Sequence, residues 1–305
     1  MKVISKLFLF STLILFAACA TKDSKSNKEE DIPIEQIELE ILKTAYPGVD
    51  FTLSYDENVS DWVLSVTSYG KTTLLYRTGG KYLTEQQRTN PDHYRKVFSI
   101  YNRKTLDPET MTEEQIEKIR NFGSTKNRTT GAVASTAIFT AIYDSETRKS
   151  TESHLKTISF LDCGSVVHER IVPVLQRIEE KILLAAQTDS EVQSFLDNLE
   201  SAGSYSWRAI RDNDARSFHS FAIAIDILPD DWEDTIIYWN FEKTGGNEDW
   251  MLIPLKDRWM PPAKVIEIFE DEGFIWGGRW AVWDNMHFEY HPEIIGVEKY
   301  KKYFE

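Results

Sequence analysis

Ser217-Phe218-His219-Ser220-Phe221-Ala222-Ile223-Ala224-Ile225-Asp226 is the stretch on which the fold is read. Phe221, Ile223 and Ile225 alternate with Ala222, Ala224 and Asp226, which describes a strand with one bulky apolar face and one face of small residues ending in a carboxylate. The small residues leave room for something beside Asp226. Fully extended, the chain would carry His219 about 23 Å from Asp226, at ~3.3 Å per residue. Two ligands of one metal ion must approach within a few ångströms of each other, so a shared ion requires the chain to bend after His219.

A second segment, Trp283-Asp284-Asn285-Met286-His287-Phe288-Glu289, reads as a strand with His287 and Glu289 on one side and Phe288 and Tyr290 on the other. If His219, Asp226 and His287 hold a zinc ion, three protein ligands leave a fourth position for water, which marks a catalytic rather than a structural site. Zinc brings the pKa of such a water to around 7, and a nearby carboxylate can take its proton during attack on a carbonyl carbon. Asp284, three residues before His287, is the natural candidate for that base. Glu289 suits a partner that orients an imidazole, because metal-bound histidines usually donate their other N–H to an acceptor. On spacing alone, a histidine followed seven residues later by an aspartate also arises by chance.

Both segments resemble the zinc D,D-carboxypeptidase and L-alanyl-D-glutamate endopeptidase family, the VanY-like peptidases, with signature S-x-H-x-x-G-x-A-x-D followed by D/E-x-x-H. Ser217, His219, Ala224 and Asp226 match the first half, and Asp284 and His287 the second. Gly273-Phe274-Ile275-Trp276-Gly277-Gly278-Arg279-Trp280 and the ending His287-Phe288-Glu289 are similar to the endopeptidase branch, and the likeness runs from about Gly203 to Glu293. It implies an α+β fold: a small antiparallel sheet carrying the zinc site, with flanking helices, preceded here by an N-terminal α/β extension. It further implies Zn2+ on His219, Asp226 and His287, Asp284 as base, and Glu289 and Ser217 as supports of the ligands. The substrate it implies is the peptidoglycan stem peptide.

Two features depart from the family or stay open within it. Ala222 stands where the family carries glycine, at the inferred bend; a positive φ there would strain alanine by about 1 to 2 kcal/mol, whereas a negative φ would not. The cation that would stabilise an oxyanion is either Arg208 or Arg216, the two nearest arginines, with Arg208 preferred. His93, His154, His168 and His291 lie outside the signature and read as exposed or hydrogen-bonded residues rather than ligands.

Lys2 and Lys6 precede an apolar run from Leu7 to Ala18 that closes on Ala17-Ala18-Cys19. The run is short for a bilayer span and fits a lipoprotein signal peptide, with Cys19 the lipidated first residue and a bacterial envelope location. Residues 1–18 are therefore read as signal peptide and 19–35 as a polar tether, with membrane contact through the lipid anchor only. Removing two lysines takes the net charge from −14 to −16, which disfavours nucleic acid as a partner. Cys163 then has no partner in the chain, so stability must come from a core, which 41% apolar residues can build. The chain is expected to act as a monomer.

Two further regions follow, 36–150, of open role, and 151–305, the peptidase domain. Ile34, Ile37, Leu39 and Leu42 mark a helix, Trp62–Val66 and Thr73–Tyr76 mark strands, and Thr112 to Arg120 is a helix behind a Thr-Glu-Glu start. Apolar residues from Val167 to Ile182 predict an amphipathic helix over Val166–Leu184, and another follows over Ser190–Leu199. Eight of the nine tryptophans fall between Trp207 and Trp283, and most are read as packing. The competing function is an inactive envelope lipoprotein that keeps the fold as a binding module; the presence of Asp284 favours the enzyme. Whether a terminal D-alanine is released or L-alanyl-D-glutamate is cut depends on pocket shape, which the sequence does not display.

Overall fold

The computed structural model describes residues 32–210, 212 and 215–305. The expected signal peptide, Cys19 and most of the tether lie outside the described residues. No helix among the described residues is long and apolar enough to cross a membrane.

The first helix, α1 (Ile34–Ala45), buries Ile37, Ile41, Leu42 and Ala45, the face that three- and four-residue spacing puts together. Strands β1 (Asp50–Asp56), β2 (Asp61–Ser68) and β3 (Lys71–Tyr76) form an antiparallel meander in that order. Helix α2 (Glu113–Gly123) opens on a capping box in which Thr112 and Gln115 satisfy each other's backbone N–H groups. Three short helices follow, α3 (Thr125–Thr130), α4 (Ala137–Ile142) and α5 (Arg148–Ser153). Next come the antiparallel pair β4 (Leu155–Phe160) and β5 (Cys163–His168), then α6 (Val172–Ala186) and α7 (Ser190–Asp197). The remaining elements are β6 (Leu199–Gly203), β7 (Ala224–Pro229), α8 (Trp239–Thr244), α9 (Ala263–Asp271), β8 (Phe274–Trp276), β9 (His287–Tyr290) and α10 (Pro292–Gly296). The last four strands make an antiparallel sheet in the order β6-β7-β9-β8. The architecture is α+β with small antiparallel sheets, as expected.

The helix expected from Val166 begins at Val172 instead. Val166 and Val167 are β-branched and pair with β4, and Pro173 is tolerated only in a first helical turn because it lacks an N–H and its ring obstructs the preceding turn. His168 closes the strand and its ring accepts the N–H of Arg170. Helix α6 then buries Val174, Leu175, Ile178, Ile182 and Ala186, packing against α7, α9 and β4. Each fully buried Ile or Leu contributes about 1.5–3 kcal/mol relative to exposure.

One apolar cluster contains Ile37 and Leu42 of α1, Leu64 of β2, Ile138 of α4, Ile178 of α6, Ile225 of β7 and Phe288 of β9. Residues on both sides of position 150 therefore share a core. Trp239, Trp250 and Trp283 form a smaller cluster with Met251 and Ile253, and Trp276 is buried in the main one. Trp207 is exposed.

Candidate metal centre

Three separate devices bring the expected ligands together. Asp226 on β7 and His287 on β9 are directly paired across the two strands, so their side chains stand side by side on one face. His219 arrives on a 3-10 turn, Phe218–Phe221, that folds the chain back into β7. Ser217 caps this turn, its hydroxyl accepting the N–H of His219 at 3.3 Å.

The turn closes through Ala222 at φ 56° and ψ 37°, a left-handed conformation, so of the two possibilities the strained one is realised. Glycine would adopt it freely, whereas alanine is strained by about 1–2 kcal/mol. The strain is over-determined by its surroundings: Ala222 is fully buried, its N–H donates to the carbonyl of His219 at 3.0 Å and its carbonyl accepts from His168 N–H at 2.9 Å.

His219 Nε2 lies 3.1 Å from Asp226 Oδ2 and 3.2 Å from His287 Nδ1, and His287 Nδ1 lies 2.7 Å from Asp226 Oδ1. One donor atom from each residue falls within 4.8 Å of the others. The distal nitrogens are occupied: His219 Nδ1 donates to the Ser204 carbonyl at 2.6 Å, and His287 Nε2 donates to Glu289 Oε1 at 2.9 Å. This leaves Nε2 of His219 and Nδ1 of His287 aimed at Asp226. Two imidazole nitrogens and one carboxylate, with their far sides held by acceptors, fit zinc.

Asp284 precedes β9, on a loop packed against Gly277. Its backbone N–H donates to the Gly277 carbonyl at 3.1 Å, and a Cβ on Gly277 would fall 2.5 Å from the Asp284 carbonyl, so only glycine permits this approach. The Asp284 Oδ1 atom is buried and has no hydrogen-bond partner among the described residues. Burial first, then the charges of Asp226 and Glu289, push its carboxyl up to about 8, against the opposing pull of His287 and Arg208. Burial alone would also raise Asp226 and Glu289. For Asp226 the neighbouring His219 and His287 win and hold it well below the carboxylate range; for Glu289, His287 and His291 hold it at about 2. Burial disfavours charge on His287, yet hydrogen bonds to Asp226 and Glu289 raise it well above its usual value.

The two candidate arginines separate. The Arg216 guanidinium is turned inward: it donates to the Ser145 and Ser220 carbonyls and covers the Phe221 ring at 3.7 Å, and burial lowers its pKa to about 10. It clamps the turn that carries His219. Arg208 is exposed, its backbone pinned to Ser220 Oγ in both directions, and its charge acts on the Asp284 carboxyl. The other histidines sit apart from the ligand set. His93 is exposed, His154 lies between Asp144 and Glu169, and His168 donates to the Tyr143 carbonyl. His291 bonds Glu289 and Glu293. Sequence reasoning missed Ser204, which acts through a backbone carbonyl that carries no sequence signal. It also set His291 aside, although its two-residue step from Glu289 extends the strand alternation.

Residues 211–290 match the family model of D-alanyl-D-alanine carboxypeptidase, an M15 peptidase family, in agreement with the VanY-like resemblance. At family level this supports a peptidase acting on peptidoglycan. Residues 38–99 match the model of a domain of unknown function (DUF8518). No curated protein and no solved structure matches the chain.

Proposed function

We propose that this chain is a zinc-dependent peptidase that hydrolyses peptide bonds in peptidoglycan stem peptides, either L-alanyl-D-glutamate or D-alanyl-D-alanine. The observation that carries the reading is the convergence of His219, Asp226 and His287 beside a buried carboxyl, Asp284, whose Oδ1 has no partner among the described residues. Buried atoms elsewhere, such as Ser165 Oγ, also lack partners among the described residues, so the Asp284 oxygen carries weight through its place beside the three candidate ligands.

His219, Asp226 and His287 would hold the ion. Zinc, when bound, supplies Lewis acidity and brings the pKa of water to around 7. Asp284 takes the proton of the attacking water on its carboxylate and returns it to the leaving amine. Positive charge at the ligand set favours the carboxylate form that this role needs. Arg208 is the cation assigned to the substrate carbonyl oxygen as negative charge develops there. Ser217 and Glu289 hold His219 and His287 in place.

The short apolar run closing on Cys19 supports a lipid-anchored protein of the bacterial envelope. Labelled fatty acid should enter the wild-type precursor and not Cys19→Ser, and equal labelling would end this part of the reading. For the reaction, mass spectrometry of peptidoglycan fragments incubated with the zinc-loaded protein should show loss of a terminal D-alanine or scission after L-alanine. Fragments that come through unchanged would refute the hydrolase and leave the binding-module alternative.

A further inference from the structure

The hydrogen bonding behind His287 does not stop at Glu289. Glu289 Oε1 accepts from His287, while Oε2 forms an ion pair with His291, 3.2 Å from its Nε2. His291 Nδ1 donates to Glu293 Oε1 at 2.7 Å, and Glu293 Oε2 accepts the hydroxyl proton of Tyr46. Tyr46, His291 and Glu293 are all buried. The relay thus runs from a candidate metal ligand to the residue that closes α1, 247 positions before Glu293 in the chain.

Local structure explains how it is built. His287, Glu289 and His291 follow at two-residue steps along and just past β9, and Pro292 then starts α10, whose first turn carries Glu293. Helix α10 packs on α1, which brings Tyr46 to Glu293. Two carboxylates in an interior are costly unless their oxygens are paired. Here each named carboxylate oxygen has a donor. A protonated His291 donates from both nitrogens, one to each neighbour, and the two carboxylates raise its pKa to about 9 although burial opposes the charge.

Metal-binding imidazoles are oriented by the acceptor on their distal nitrogen, and that acceptor is useful only as far as it is itself held still. Glu289 is held by His291, His291 by Glu293, and Glu293 by Tyr46. We propose that Tyr46, Glu293 and His291 are positioning residues of the metal centre, holding Glu289 from behind so that His287 keeps its Nδ1 on the ligand side. The segment that carries Tyr46 is then a working part of the site, although it supplies no ligand. The proposal rests on the reading that His219, Asp226 and His287 bind zinc.

Tyr82 provides a matched control. It is buried in the same N-terminal region and its hydroxyl donates to Glu38 Oε2 at 2.7 Å, but Glu38 pairs with Arg77 and not with any relay residue. Tyr46→Phe and Tyr82→Phe therefore remove equivalent hydroxyls. Zinc affinity of the purified protein, measured by competition with a chelator, should fall by less than the about 10- to 100-fold typical of direct partners of metal ligands, roughly several-fold in His291→Gln and by a smaller but measurable factor in Tyr46→Phe. Tyr82→Phe should bind zinc as wild type does while lowering the melting temperature of the zinc-free protein. The visible spectrum of the cobalt-substituted protein should shift in Tyr46→Phe and not in Tyr82→Phe. Should His291→Gln fail to fold, Tyr46→Phe decides, since it deletes one oxygen. A wild-type protein that binds zinc, with Tyr46→Phe binding it equally well or Tyr82→Phe weakening it as much, overturns this proposal alone. A wild-type protein that takes up no zinc overturns it together with the proposed function.

Discussion

The regions before and after residue 150 contribute to the molecule in different currencies. The later one carries the three candidate ligands, Asp284 and Arg208 on a four-stranded sheet and its loops. The earlier one supplies no ligand, yet Ile37, Leu42, Leu64 and Ile138 belong to the same core as Ile225 and Phe288. It also reaches the site through hydrogen bonds at two places. Tyr46 ends the relay behind His287. Tyr101 donates to Glu270 Oε1 and accepts the Trp276 N–H, while Thr105 accepts from Arg279, so the loop that packs on Asp284 is fastened from the same side. The difference teaches that chemistry-bearing residues and the residues that hold them can be far apart in sequence, and that a family match over 211–290 takes in the three candidate ligands and Asp284 but neither Arg208 nor Tyr46.

The comparison breaks if a residue of the later region proves to be merely supportive. Asp284→Asn should lower turnover by about 10²-fold or more while leaving zinc content near wild type, because the base touches water and not the ion. Asp226→Asn should do the reverse: zinc affinity falls first, and activity partly returns with excess metal, since an anionic ligand has become a neutral one. Metal content and turnover measured on both variants check this, and full activity in Asp284→Asn would remove Asp284 from the role of base, which Glu289, with both oxygens engaged behind His287, is not placed to take over.

The earlier region is sharpened by a substitution that touches only its core. Leu64 is fully buried in β2, so Leu64→Ala should cost about 2–5 kcal/mol of stability by denaturant titration. Zinc affinity below the unfolding transition should stay at the wild-type value. A parallel loss of zinc affinity would mean that the site responds to general loosening, and the distinction between the two regions would dissolve.

How far these features were legible depends on whether the signal was local. Helix α1, strands β2 and β3 and the capped start of α2 follow from periodicity and from Thr112, all short-range properties. The small residues of β7 were readable for the same reason, whereas the bend after His219 followed from requiring His219 and Asp226 to share one ion. The start of α6 was misread because Val166 and Val167 suit a strand and a helix face equally, and Pro173 is the residue that decides. The sign of φ at Ala222 stayed open because alanine itself gives no sign of a positive value and only the family glycine pointed to one; burial and the His168 N–H hold it there. Nothing local could have joined Tyr46 to Glu293.

His168 lies on the seam, its ring on the Tyr143 carbonyl and its backbone on Ala222. Burial lowers its pKa from 6.5 to about 4, so the unfolded chain takes up this proton first as the solution is acidified. Its contribution to stability is therefore intact above pH ~6.5 and lost as pH falls toward ~4, by at most about 3 kcal/mol. Unfolding free energies of wild type and His168→Gln across that range should converge in acid; parallel curves would remove His168 from the account.

Zinc stoichiometry tests the central claim most directly. Elemental analysis of the purified protein should find about one zinc per chain, and His219→Ala or His287→Ala should abolish it without unfolding the zinc-free protein. A wild-type chain that remains metal-free after reconstitution with zinc, or alanine variants that retain the ion, would contradict it.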